Sequence, residues 1–485
     1  MKKTGIAAAV VLVAGAAVTA GAWYTGQQLE GVLQDKIAEA NQEVARQLPG
    51  SGVQIALASL ERGVFSSDVR YRIELGEVAR QQEWPASELF LIERIEHGPL
   101  PLSRLLELRL LPVMAHSQTR LEETALTAPL FQQAQGAEPL RIQTTLGYDL
   151  EAGVRLSVAP LLYADAETSV SFSGFEGEFQ GSAERVAGSG RFERLELVAL
   201  GAEPMRLDLQ GFQLTVDRHQ GPSGLFLGEQ SVTLDALELH WPGLEPLALS
   251  QLAQRDQLSQ TDNQLAATLN LEVGGLAYAG QPLGALRMDW SANDLNAEAV
   301  VALAELIGSY AESLEADPAP AGFSPEQEEQ LRSALEVLLA GNPSLNLDRL
   351  SLKTANAESR LSLKVGLSKP SMGEALPPEA LIQQLISRLN LQLDVPKASI
   401  RDLVGYQALF DASLDPQAVA MEAEMMAEMA GDMAVTAELA TLQGDSIQTR
   451  LDYADGQVTL NGQTRPLEEF LAMLSLLAGG GVAIE

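Results

Sequence analysis

The 485-residue sequence contains no cysteine. This absence excludes disulfide bonds, thiol catalysis, cysteine-based metal sites and the acylated cysteine of a lipoprotein. Basic residues are also scarce, since 32 Lys and Arg stand against 65 Asp and Glu, a formal net charge of −33. Nucleic-acid binding depends on basic surfaces that displace phosphate counterions, so we expect no nucleic-acid partner.

Aromatic residues make up only 5% of the chain, whereas 46% is hydrophobic, so the core is expected to be aliphatic and dominated by leucine. The four histidines (His97, His116, His219 and His240) show no pair at the i, i+4 spacing of a helical metal site. The nucleophile elbow G-x-S-x-G and the P-loop are also absent. We therefore predict no catalytic, cofactor-binding or metal-binding residue.

His97 is the one histidine in a distinctive context, HGPLPL at 97–102. We expect a turn there, set by the glycine and the two prolines that follow the histidine. A catalytic role for His97 is the alternative. Paired glycosidase carboxylates leave no local signature, so a hydrolase that depends on two acids also stays open.

Residues 5–23, GIAAAVVLVAGAAVTAGAW, carry no charge. About 20 such residues cross a bilayer as one helix, so this run predicts a single transmembrane anchor. Lys2 and Lys3 precede the run, which predicts a cytoplasmic N-terminus and a body in the periplasm. Trp23 and Tyr24 stand where an interfacial aromatic pair is expected. The anchor would place the protein in the inner membrane with the bilayer as its partner.

A cleaved signal peptide is the alternative interpretation of this run. Val18, Thr19 and Ala20 resemble the small residues of a cleavage site, and the run is rich in alanine and glycine. We expect a retained anchor because the uncharged run continues past Ala20 and ends in aromatic residues.

Beyond the anchor, apolar residues recur at intervals of three and four, among them Leu33, Ile37, Ala40 and Val44. This spacing predicts an amphipathic stalk helix that Pro49 ends, with one face packed on the exported body or on a second copy.

From residue 53 to about 290 the apolar residues alternate, which predicts antiparallel strands with one buried and one exposed face. A pattern of two apolar couplets, each apolar-x-apolar, with two further positions between them occurs three times. It is formed by Leu207, Leu209, Phe212 and Leu214, by Val232, Leu234, Leu237 and Leu239, and by Leu345, Leu347, Leu350 and Leu352. The extra position predicts either a β-bulge or a strand that crosses to a second sheet.

Helical periodicity returns in several later segments. One helix is predicted from Leu295 to Leu314 and a second from Ser324 to Gly341, where Ser-Pro-Glu-Gln is a typical helix start. Pro377 predicts the start of another helix that runs to about Arg388. The C-terminus predicts a hairpin at Asp455-Gly456 and a short closing helix.

Methionines are concentrated in the helical segment 400–435. They include Met421, Met425, Met429 and Met433, which are spaced four apart. We expect this stripe to pack on the sheet or on a partner subunit, because methionine fills irregular gaps in cores. An exposed, adaptable binding groove is the alternative.

The predicted fold class is α+β, mainly β: an N-terminal transmembrane helix, then long antiparallel sheets with inserted helical hairpins. The predicted segments are a cytoplasmic tip with the anchor (1–26), the stalk helix (27–52), a β-rich periplasmic region (53–294), a helical hairpin (295–343), a β-rich region with a short helix (344–395), a methionine-rich helical segment (396–440), and a hairpin with a closing helix (441–485).

Several phrases in order resemble the YdgA family of bacterial inner-membrane-associated proteins of unknown function. They are GAWYTG at 21–26, RGVFSS at 62–67, HGPLPL at 97–102 and YADGQVTLNGQ at 453–463. The resemblance covers essentially the whole chain and implies an N-terminal anchor with a periplasmic, dimeric body. It implies no active-site residues. Leu100 stands where an aromatic residue is expected, a departure that leaves the turn intact.

We therefore expect a non-enzymatic envelope protein that acts by binding or as a scaffold. One hypothesis is a lipid ligand held in an aliphatic groove of the sheet, and another is a homodimer through the stalk or the methionine helix. A carboxylate-dependent periplasmic hydrolase acting on glycans is the alternative function.

Overall fold

A computed structural model describes residues 29–47, 51–63, 65–76, 87–134, 136–199, 201, 204–316, 323–370, 383–411 and 413–479. The predicted anchor at 5–23 lies outside these residues. Within them, no helix is both long enough and apolar enough to cross a membrane. The mainly β architecture with additional helices is confirmed, and the strand pairs are antiparallel.

The chain divides into two units with a boundary after Gln220, except that Glu312–Pro318, which include the end of one helix of the second unit, group with the first. The first unit contains helices α1 (Leu29–Gln47), α2 (Leu102–Leu106) and α3 (Ala128–Gln133), and strands β1 (Gln54–Arg62), β2 (Ser66–Glu74), β3 (Glu88–His97), β4 (Ala115–Leu121), β5 (Leu140–Leu146), β6 (Ala152–Val158), β7 (Leu161–Ala164), β8 (Thr168–Phe172), β9 (Phe175–Gly181), β10 (Arg185–Ala199) and β11 (Met205–Gln220).

The strands of the first unit form a meander. The order β1-β2-β3-β4-β5-β6 follows the sequence; β9 pairs with β6, and β10 pairs with both β9 and β11. The short pair β7 and β8 lies against the second half of β10. Alternation of apolar and polar residues gives each strand one face for the core.

Helix α1 covers this core face. Leu33, Ala40 and Val44, which share one stripe of the helix, are buried against residues of β1 to β6 such as Tyr71 and Ile142. The helix runs antiparallel to β1. Asn41, late in the helix, exchanges hydrogen bonds of 2.8 and 2.9 Å with the backbone of Ile55 near the start of β1. Glu30, early in the helix, pairs with Arg62 at the end of β1. The amphipathic stripe of the predicted stalk thus packs on the body of the protein.

Two glycines inside strands make room for an aromatic ring. Gly177 of β9 pairs with Gly190 of β10, and a Cβ at either position would lie within 3.0 Å of the Phe175 ring. Gly177 is the third residue of β9. The glycine is in mid-strand because the ring occupies the space above it.

A matched pair of glycine substitutions tests this packing. Gly190→Ala would place a Cβ 2.5 Å from the Phe175 ring, which lies against Gly177 as well, so we expect it to lower the free energy of unfolding by about 1–3 kcal/mol. Gly153→Ala, also in mid-strand, meets no atom closer than 4.0 Å and is expected to raise it by about 0.5–1 kcal/mol. Denaturant titration of both variants measures the difference, and equal effects would contradict the packing account.

The second unit begins at Gly221. It contains strands β12 (Phe226–His240), β13 (Leu247–Thr261), β14 (Gln264–Tyr278), β15 (Gln281–Asn296), β16 (Ser344–Lys353), β17 (Glu358–Leu367), β18 (Ile386–Pro396), β19 (Thr441–Gln443), β20 (Ser446–Ala454), β21 (Gln457–Leu460) and β22 (Gln463–Pro466), and helices α4 (Ala297–Ala316), α5 (Pro325–Ala340), α6 (Lys397–Gly405), α7 (Gln407–Phe410), α8 (Pro416–Thr436) and α9 (Leu467–Gly479).

Strands β12 to β18 pair in sequence order, and β20 pairs with β18, β19 and β21. The pattern that starts at Leu345 lies in the single strand β16. The pairing of β16 with β17 shifts register between Leu347 and Leu350, so a β-bulge absorbs the extra position. Both leucine couplets therefore stay on one face of the sheet.

Helix positions agree with the sequence where local chemistry fixes them. Ser324 caps α5 through a reciprocal pair of hydrogen bonds with Gln327. The helix predicted from Pro377 to Arg388 falls largely outside the described residues, and its end is wrong, because Ile386 already begins β18. At the C-terminus, Asp455 and Gly456 both have positive φ and form the predicted hairpin turn.

Candidate functional site

The histidines are dispersed, as their spacing indicates. His97 ends β3, where its Nε2 lies 2.9 Å from the Ser67 hydroxyl, and burial lowers the pKa of the imidazole. Gly98 follows at φ 94°, so the structure places a turn there. His116 lies on β4 with Nδ1 3.0 Å from the Thr145 hydroxyl. Within the described ranges, no group of three or more His, Asp or Glu could hold a metal ion.

A buried polar cluster lies on the core face of the first unit, at Tyr71, Glu93, Ser117, Thr119 and Thr144. The Glu93 side chain is closed off from solvent, with 2% of the residue exposed. The Tyr71 hydroxyl donates a hydrogen bond of 2.6 Å to Glu93 Oε2. Among the described atoms, Glu93 Oε1 and the hydroxyls of Ser117, Thr119 and Thr144 have no hydrogen-bond partner.

Burial controls the electrostatics of this cluster. It raises the pKa of Glu93, because the ionised carboxylate is disfavoured away from water, although nearby hydroxyls act in the opposite direction. The pKa of Tyr71 is also raised well above its ordinary value, first by burial and then by the Glu93 charge. A carboxyl enclosed in a core in this way has no path to a glycan, so the cluster does not supply the acid of a hydrolase.

Sequence reasoning missed this cluster, although a signal was present. In β3 the core positions alternate as Leu89, Leu91, Glu93 and Ile95, so a glutamate occupies a position in the apolar series. A charged residue in such a register is rarely buried without a partner. Its partner, Tyr71, lies on the neighbouring strand and is not apparent from local sequence.

A polar trough of about 1020 Å³ lies on one face of the second unit's sheet. Its lining includes Asp348, Asp394, Asp452, Arg349 and Arg360. The two arginines bind Glu358 at 2.6 Å each, and these bonds, Arg360 first, lower the pKa of Glu358 to about 2. This carboxylate stays ionised at neutral pH, which suits an ion pair and does not suit a general acid.

The opposite face of the same sheet is aliphatic, and we call it the leucine face. One cross-strand row on this face runs through Leu269, Trp290, Leu347, Leu363, Leu391, Leu451 and Leu460, from β14 to β21. Neighbouring rows continue the pattern with residues such as Leu271, Met288 and Leu350. A surface of this composition offers dispersion contacts and exclusion of water, without directional polar groups.

Other elements bury the leucine face at one end more than at the other. At the β20 and β21 end, helix α9 buries it through Leu467 and Phe470, which pack with Tyr453 and Leu460. At the β14 and β15 end, Leu269 and Trp290 are 36% and 42% exposed; on β16, Leu345 in a neighbouring row is 47% exposed, whereas Leu347 is buried. The leucine face is therefore closed at one end and open to solvent at the other.

The methionine stripe of α8 does not pack on the sheet. Met421, Met425, Met429 and Met433 are exposed, whereas the buried residues of α8 are Val419, Ala423, Ala427 and Gly431. This small-residue stripe faces α6, since Gly431 adjoins the side chain of Lys397. The expectation of packing on the sheet was wrong, because small residues allow a closer helix contact and turn the methionines outward. Packing on a partner subunit stays a prediction.

Comparison with known proteins gives full-length similarity. Residues 1–468 match the family described as "Bacterial protein of unknown function (DUF945)". The chain is 28% identical to "Protein YdgA" of Escherichia coli (strain K12) over 99% of this chain and 98% of that protein. It is 20% identical to "Uncharacterized protein YihF" of the same strain over 97% of both chains. No solved structure matches the chain.

Proposed function

The chain belongs to the DUF945 family of bacterial proteins of unknown function, and from that premise we propose that it is a membrane-anchored envelope protein that binds a lipid acyl chain. Residues 5–23 would anchor it in the inner membrane, with both units in the periplasm. The uncharged run, its two flanking lysines and the aromatic pair that follows support this placement.

The leucine face is the observation that carries the proposal. Its rows cross at least seven strands, and strands lie about 4.8 Å apart, so one row spans roughly 29 Å. In this row Leu269 and Trp290 are exposed and Leu363, Leu391 and Leu451 are partly exposed, whereas Leu347 and Leu460 are buried. The accessible residues form an apolar strip. Apolar area left open in this way is a recognised mark of a binding surface.

An acyl chain fits this surface better than a polar ligand does. Each methylene transferred from water to an apolar contact contributes about 0.8 kcal/mol, and the leucine face makes no demand for hydrogen bonds. Polar residues of β16 to β21 line the trough on the other side of the sheet. A headgroup would therefore project from the open end, near Leu269 and Trp290.

Photocrosslinking tests this assignment directly. The purified full-length chain is incubated with a phospholipid that carries a diazirine in its acyl chain, irradiated and mapped by peptide mass spectrometry. We expect the label on β14, β15 and β16. Leu269→Gln, and more strongly its combination with Trp290→Gln and Leu345→Gln, should reduce labelling severalfold, because a polar side chain on the strip must be desolvated by the ligand.

The matched control is Thr268→Gln, an exposed neighbour of Leu269 that points to the opposite face of β14. It should leave labelling unchanged. Labelling that is absent, or spread equally over both faces in the parent chain, would refute the acyl-chain proposal.

A further inference from the structure

Three chain connections meet at one end of the first unit's sheet. They are the β1–β2 turn, the long β3–β4 connection at 98–114 and the β5–β6 turn at 147–151. In antiparallel order, β1, β3 and β5 all end at this side, and β2, β4 and β6 all start from it. We call this end of the unit the apolar tip.

Large apolar side chains at the apolar tip are exposed to solvent. Phe65 and Leu108 are more than 80% exposed, and Leu106, Leu111, Tyr148 and Leu150 are also exposed. A cluster of this kind on three adjacent loops exceeds the single exposed apolar residues that are normal on a protein surface.

The loops of the tip are joined to one another by backbone hydrogen bonds. The amide of His97 donates to the carbonyl of Phe65 at 2.8 Å, and the amide of Met114 donates to the carbonyl of Leu146 at 2.8 Å. The guanidinium of Arg104 reaches the Thr145 hydroxyl and the Leu111 carbonyl at 3.4 and 3.5 Å. The arrangement is thus preformed, and docking would order little additional chain.

Two of the exposed leucines have an unfavourable backbone conformation. Leu108 has φ 58° and Leu150 has φ 66°, a region where glycine or asparagine costs less. Because both leucine side chains are exposed, no burial energy offsets this backbone conformation. Strain retained beside exposed apolar side chains is characteristic of a surface that meets a ligand.

The start of helix α1 lies at the same end of the sheet. Glu30, in its first turn, forms an ion pair with Arg62, the last residue of β1 before the turn that carries Phe65. The uncharged run at 5–23 ends a few residues before α1 begins. Helix α1, which follows this run in the sequence, therefore begins beside the apolar tip.

We infer that the apolar tip docks on the surface of the lipid bilayer, with its leucines, Phe65 and Tyr148 inserted at the interface. The inference rests on the anchor proposed above, which would hold the tip at high local concentration next to the membrane. Glu107 and Arg109 form an ion pair at 3.4 Å and offset each other's charge within the loop. Because the chain as a whole is strongly acidic, attraction to anionic lipid does not explain the docking, and apolar insertion does.

The absence of cysteine allows a clean test with single-cysteine variants of the full-length chain. Leu106→Cys carries an environment-sensitive fluorophore at the tip. Leu162→Cys, on an exposed leucine of β7 at the opposite end of the first unit, is the matched control. Both are reconstituted in phosphatidylcholine vesicles with a nitroxide quencher near the headgroups. We expect severalfold stronger quenching at 106 than at 162.

Leu108→Gly and Leu150→Gly, added to the Leu106→Cys variant, remove two apolar side chains and relieve backbone strain, so the fold is retained. They should reduce the quenching. Equal quenching at 106 and 162 in a chain that floats with the vesicles would refute tip docking and leave the anchor intact. A chain that does not float would refute both. In the unlabelled Leu106→Cys variant, a disulfide between two copies under oxidising conditions would refute lipid docking and assign the tip to a second copy.

Discussion

Leu33→Ala should destabilise the first unit by about 2–5 kcal/mol, the range for a fully buried leucine that leaves a cavity. Leu33 is 0% exposed and lies where α1 meets the core face of the sheet. The substitution would weaken the attachment of α1 to the sheet formed by strands β1 to β6, because the buried stripe of α1 contains few large side chains. Hydrogen exchange of the β2 and β3 amides in the full-length chain measures the effect.

Gln34→Ala is the control, since Gln34 lies on the same helix and is exposed. It should change amide protection little, as surface substitutions usually do. Equal protection in the Leu33→Ala variant and the parent chain would mean that α1 is not held on the sheet in solution.

Glu93→Gln should make the first unit more stable at neutral pH and leave it nearly unchanged near pH 4. Burial raises the pKa of Glu93 in the folded state, so the folded protein holds this proton more tightly than the unfolded chain does. The stability that this proton contributes is fully present below the unfolded-state pKa of about 4.3 and is lost as the pH rises through the raised pKa of Glu93 in the folded state. Glutamine is uncharged at every pH, so the Glu93→Gln variant does not lose this stability as the pH rises.

The free energy of unfolding of both proteins, followed from about pH 4 to about pH 8, gives the difference. Glu61→Gln, at an exposed position of β1, is the control that subtracts the general effect of removing one negative charge. Glu93→Ala separates charge from hydrogen bonding, because it leaves the Tyr71 hydroxyl unpaired at a cost of about 1–3 kcal/mol. A pH-independent difference between Glu93→Gln and the parent chain would place Glu93 in contact with water.

Local chemistry made part of this fold predictable. Alternating apolar residues predicted the antiparallel strands, Ser324 predicted the start of α5, and Asp455 with Gly456 predicted the β20–β21 hairpin. Each of these signals acts over a few residues, so no partner strand has to be known. The bulge in β16 was one of two alternatives, and only the register with β17 decides between them.

The features of the candidate sites depended on partners that the sequence does not display. Glu93 is partnered by Tyr71 on the adjacent strand, and the leucine face arises only when several strands align their couplets. The methionine stripe was assigned to the wrong side of α8, because two stripes with four-residue spacing share this helix. The stripe with Gly431 and the other small residues faces α6, because small side chains allow the two helices to approach closely.

The construction of the leucine face bears on how far such a chain can diverge. Each position in a cross-strand row requires only an aliphatic side chain of suitable volume. Exchanges among leucine, isoleucine and methionine lower stability little when the total volume is kept. Homologues can therefore lose residue identity quickly while the strand register persists, which accords with 20% identity to YihF along nearly the full length of both chains. Distant relatives should be sought by the spacing of their aliphatic couplets, with identity as a secondary criterion.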